Sequence, residues 1–82
     1  MIKVIGYAGS LCDKQLWIYR NPPKGDPVVV ECKDRNTTWE LYCNWVELLM
    51  EGNKVMDFRI LTEAEAVAAS SVVADYIASA KR

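Results

Sequence analysis

The chain has 82 residues, 51% of them hydrophobic and 26% charged, with three prolines and four glycines. That is room for one domain, residues 1–82, and it excludes a disordered tail, a collagen-like repeat and a low-complexity linker. Ten basic against eleven acidic side chains leave a net charge of −1, far from the balance of a typical nucleic-acid binder.

Ile2 to Tyr7 is rich in β-branched and aromatic residues and reads as a first strand. Ala8 to Asp13 is small and polar, a turn. Its Gly6-Tyr7-Ala8-Gly9-Ser10 stretch lacks the Gly-Lys-Ser/Thr ending of a phosphate loop. Gln15 to Arg20 is a second strand, with Trp17 and Tyr19 on one face and Leu16 and Ile18 on the other. Asn21 to Pro27, with two prolines and a glycine before its last residue, is an exposed loop. Val28 to Cys32 is a third strand, apolar at consecutive positions and so covered on both faces. Gln15 to Cys32 is then a hairpin.

The period next lengthens to 3.6. Thr37 and Glu40 have the spacing of a capping box, and a helix is expected from there to Glu51, with Gly52 as its left-handed cap. It would carry Glu40, Asn44, Glu47 and Glu51 on one face and Leu41, Tyr42, Trp45, Leu48 and Leu49 opposite. Trp39, Val46 and Met50 widen the apolar arc beyond one packing face. Lys54 to Leu61 is a fourth strand, with Met56, Phe58 and Ile60 inward. Thr62 and Glu65 form another capping box, opening a thin, alanine-rich helix from Glu63 to Ala80 that ends on Lys81 and Arg82. The order β-β-β-α-β-α defines an α+β domain, a mixed and mostly antiparallel sheet with two helices packed on it. The crossover between the third and fourth strands favours parallel pairing there.

Chemistry-bearing residues are few. The chain has no histidine, which removes Ser-His and Cys-His nucleophile pairs. Cys12, Cys32 and Cys43 form no CxxC pair, which argues against a disulfide framework and a zinc site. Cys32 and Cys43 read as buried thiols. No stretch reaches the roughly 20 apolar residues that span a bilayer, and the start is too short for an export signal, so a cytoplasmic location is expected.

One constellation stands out. Asp13 precedes an apolar strand ending Glu31-Cys32-Lys33, whose carboxylate and amine share a face. With its hairpin and following elements, this pattern resembles the PD-(D/E)XK nuclease superfamily, in its stand-alone phage members and type I restriction nuclease domains, over residues 10–61. The resemblance implies a Mg²⁺ held by Asp13 and Glu31, with Lys33 as the catalytic lysine. The proline before the aspartate and the N-terminal helix of that superfamily are missing.

The absences, the small size and the surplus of apolar and acidic surface point instead to a protein without catalysis or cofactor that docks on a macromolecule. Its concrete form is an inhibitor or adaptor of the phage or mobile-element type, whose partner is a protein such as a basic nucleic-acid-processing enzyme. The contact residues expected are Trp17, Tyr19, Trp39, Glu40, Glu47, Met50 and Glu51. A homodimer sealed by the broad face of the first helix is the further alternative.

Overall fold

The computed structural model describes residues 1–19 and 27–80. The expected 21–27 loop up to residue 26, the end of the second strand at Arg20, and Lys81 and Arg82 lie outside them. The elements are β1 (Ile2–Cys12), β2 (Gln15–Tyr19), β3 (Val28–Glu31), α1 (Arg35–Leu41), β4 (Trp45–Glu51), β5 (Lys54–Leu61), α2 (Glu63–Ala69) and α3 (Ser71–Ala80). This is the expected α+β class, with one strand and one helix more than the sequence suggests.

The five strands close into a barrel in the order β1-β2-β3-β5-β4. The β2–β3 hairpin pairs antiparallel from Gln15–Glu31 to Ile18–Val28. β3 and β5 run parallel, as the crossover requires, through a single pair, Glu31 opposite Lys54. Alternate side chains point inward and fill the barrel. Val4, Ala8, Leu16, Ile18, Val30, Val46, Leu48 and Met50 are buried, joined by Leu41 of α1 and by Cys32.

The largest departure concerns residues 45–51, which form a strand, not the second half of a helix. Asp34, rather than Thr37, caps α1 by accepting the Thr37 N–H at 2.7 Å. The helix stops seven residues on because the Asn44 amide donates to the carbonyls of Glu40 (3.2 Å) and Tyr42 (3.1 Å), taking acceptors that a further turn would use. Cys43 sits in the left-handed region at φ 64°, and the Cys43 N–H donates to the Ala8 carbonyl at 2.8 Å. The Ala8 N–H donates in turn to the Asn44 carbonyl at 2.9 Å, and the chain is delivered onto β1 as a strand. β4 then pairs with β1 from Trp45–Tyr7 to Met50–Ile2. Gly52 does adopt a positive φ (61°), in the β4–β5 turn and not at a helix end.

Two smaller corrections follow from the same barrel. β1 continues through the expected turn to Cys12, with an irregularity between Ala8 and Ser10. The C-terminal helix is broken at Ser70, whose extended backbone (φ −144°, ψ 119°) separates α2 from α3. The two helices bury Leu61, Ala66 and Val73 and pack on Ile5 and Trp45, covering an outer patch of β1 and β4. Among the described residues no helix is long and apolar enough to cross a membrane.

Candidate interaction surface

Outward positions on the barrel carry the aromatic residues. The β1 register sets Tyr7 opposite Tyr19 on one side and opposite Trp45 on the other, so three rings stand abreast on β4, β1 and β2. Tyr7 and Trp45 meet edge-on, with centroids 5.3 Å apart and planes at 68°, the geometry that the ring quadrupoles favour. Tyr19 lies against the backbone of Gly9, where any Cβ would come within 2.8 Å of two of its ring carbons. Its hydroxyl is 3.4 Å from the Ser10 Oγ. Only glycine at position 9 lets the ring lie this low.

Trp17, the next outward residue on β2, faces Ser10 on β1 and Val29 on β3. Val29 is exposed at 39%, and Glu31 ends the strip. The Trp45 end of the aromatic row packs against the C-terminal helices, α2 lying on β1, β4 and β5 and α3 packing on α2. The outer face of β2 and β3 carries Gln15, Trp17, Tyr19, Val29 and Glu31, with no lysine or arginine among them. Trp17 and Tyr19 were legible from strand alternation, whereas Tyr7 and Val29 as their neighbours required the register.

The other expected contact residues scatter. Trp39 is 63% exposed on α1 and leans edge-on against Tyr42, with centroids 5.9 Å apart. Glu40 is exposed beside it on α1, and Glu51 is exposed at the β4–β5 turn. Met50 is 4% exposed inside the barrel, so its expected surface role is corrected. Glu47 is on the outer face of β4, ion-paired with Lys3 at 3.0 Å and Arg59 at 2.8 Å. Arg59 first and Lys3 second hold its carboxyl below the ordinary glutamate value. The acidic helix face therefore does not exist: Glu40 belongs to α1, while Glu47 and Glu51 belong to β4. The same change removes the broad helix face on which a dimer was expected.

Asp13 is in the β1–β2 turn with φ 56°. Asp13 and Glu31 line one shallow hollow, with Cys12, Lys14 and Gln15. Glu31 and Lys33 line the next, with Lys54, Val55 and Met56. Asp13 is ion-paired with Arg35, whose guanidinium holds the carboxyl below its usual value. A divalent cation in the first hollow would compete with that guanidinium for the same oxygen, and among the described residues no third His, Cys, Asp or Glu joins the pair. Of the thiols, Cys32 is buried, and burial raises its pKa. Cys43, expected to be buried, is exposed at the left-handed turn.

Comparison with family models, with curated proteins and with solved structures finds no match to this chain.

Proposed function

We propose that the chain is a non-catalytic protein-binding module that docks through the outer face of β2 and β3, with Trp17 and Tyr19 as anchors. The observation that carries this reading is the placement of both rings on a face where no helix packs extensively, with Tyr19 held low over Gly9. Rigid aromatic side chains give large contact area at small entropic cost, which is why they dominate binding energy at interfaces. Trp39 supplies a second apolar contact on α1. The concrete form is a small cytoplasmic inhibitor or adaptor of the phage or mobile-element type, with three thiols unpaired in disulfides and an acidic C-terminal half suited to a basic partner.

Five-stranded barrels are also used to bind oligonucleotides on strands two and three, and fold alone does not decide between ligands. The charge of the face favours a protein partner. Phosphate contacts supply most non-specific nucleic-acid affinity, and among the described residues this face carries Glu31 and no lysine or arginine.

The test starts from a partner captured by cross-linking in the native host and titrated with purified protein. Trp17→Ala or Tyr19→Ala is expected to weaken binding about 30-fold or more, the loss typical of an interface anchor, with the unfolding midpoint close to wild type. Full affinity in both variants would refute the assignment. Labelled single-stranded DNA and RNA serve as the contrasting ligands, with Mg²⁺ present. Tight binding of either, or cleavage abolished by Glu31→Ala, would replace this reading with the nucleic-acid one.

A further inference from the structure

The C-terminal helices join through a single residue. α2 ends and α3 begins on either side of Ser70, which is extended at φ −144° and ψ 119°. No residue from Glu63 to Ala80 is a glycine or a proline, and the segment is rich in alanine, so its composition favours one continuous helix. The break is held by the Ser70 side chain, whose hydroxyl accepts the Val73 N–H at 3.4 Å. The N–H groups of Ser71 and Val72 open a new helix and so have no acceptor within it. In a continuous helix residues 71, 72 and 73 would instead donate to the carbonyls of 67, 68 and 69. α3 packs chiefly on α2. Its share of the apolar cluster is the fully buried Val73 and the partly buried Ile77, set with Leu61, Ala66, Ile5 and Trp45.

A connection this short invites exchange between copies, because only the hinge differs between the closed and the exchanged forms. When Ser70 turns helical, α3 swings away from the cluster and continues the axis of α2. Val73 and Ile77 then leave Leu61 and Ala66 uncovered. The surface shaped to receive α3 is found on a second copy opened in the same way, and the vacated surface takes that copy's α3. The contacts within one chain thus fix the occupant, since exchange reproduces them between two. The straightened helix adds backbone hydrogen bonds at both hinges. We infer that two copies of this chain exchange α3 across a hinge at Ser70, each through one helix running from Glu63 to Ala80. No residue of β2 or β3 belongs to the exchanged cluster, so the inference stands apart from the docking face.

Sedimentation velocity from low micromolar to near-millimolar concentration, with a reductant to keep the three thiols free, tests the exchange. The expected result is a species of twice the 9.3 kDa chain mass. Isotope-filtered NMR on labelled and unlabelled chains refolded together should place the Val73 methyls against the Leu61–Ala66 cluster of the other copy. Ser70→Ala removes the cap of α3, and the Kd of the dimer should fall about 30-fold, roughly fivefold for the cap at each of two hinges. Ser71→Pro acts the other way. Proline suits the first turn of α3 and the extended residue before it, whereas inside a continuous helix it loses the bond to the carbonyl of residue 67 and clashes with it. This variant is expected to be monomeric, with an unfolding midpoint no lower than wild type. A wild-type chain that stays monomeric throughout, a dimer that survives Ser71→Pro, or a dimer without the interchain Val73 contacts would overturn the inference.

Discussion

The strand at 45–51 makes a prediction that separates it from a helix. Met50 is 4% exposed among Val4, Leu48 and the other barrel residues, whereas on a helix it would lie at the rim of an apolar arc. Met50→Ala removes most of a buried side chain, and such truncations cost about 2–5 kcal/mol through lost transfer energy and the cavity left behind. A chain of this size has a total stability of about 4–12 kcal/mol, so a middle value of about 3 kcal/mol is a large share of it. With a urea slope of about 1–1.5 kcal/mol/M, the midpoint should fall by about 2–3 M. Urea titration followed by tryptophan fluorescence and far-ultraviolet dichroism measures it. Alanine at Val46 and Leu48, both fully buried, should also be costly, and alanine at the exposed Glu51 should stay within about 0.5 kcal/mol. This is a period of two. If Met50→Ala proved harmless while Leu41, Trp45, Leu48 and Leu49 were all critical, the helix would be right and the barrel wrong.

Three further outcomes are expected. Gly9→Ala puts a methyl within 2.8 Å of the Tyr19 ring. The ring must lift, and partner affinity should fall with little change in the core, as titration with the captured partner would show. Glu47 and Glu65 have carboxyls held below their ordinary 4.5, by the Arg59 hydrogen bond and by the Thr62 backbone amide respectively. Their contribution to stability is therefore complete above the unfolded value and lost as pH falls through the lower folded values, so the unfolding midpoint should be level near neutrality and decline below about pH 4.5. Thr62→Ala removes the cap that accepts the Glu65 N–H at 3.1 Å and should cost about 1 kcal/mol, visible as faster amide exchange in α2.

The strands that could be read from the sequence are those with one polar and one apolar side, or with β-branched runs: β1, β2, β3 and β5. β4 escaped because both its sides are covered. Val46, Leu48 and Met50 fill the barrel while Trp45 lies under the C-terminal helices and Leu49 is half-buried. The alternation is erased, and Leu41, Trp45, Leu48 and Leu49 fall by accident at helical spacing. Glu, Leu and Met are also strong helix formers, so propensity reinforced the error. The signal that decides the matter is Asn44, a poor helix interior residue whose side chain closes α1. The break between α2 and α3 had a comparable cue in Ser70, whose hydroxyl accepts the Val73 N–H at 3.4 Å. On the candidate surface, the shared face of Trp17 and Tyr19 was legible from alternation alone. The fate of Met50 and Glu47 was not, because it depended on whether their segment was helix or strand.

The position of β1 bears on how the molecule assembles in time. Its first half is clasped by β4, with Ile2 opposite Met50 and Val4 opposite Leu48, so during synthesis β1 waits for partners some forty-odd positions later. Joining segments so distant along the chain is the slow kind of folding step, because the intervening loop must be ordered before the contacts repay it. The β2–β3 hairpin can form meanwhile, but the barrel itself becomes possible only once β4 and β5 have been made.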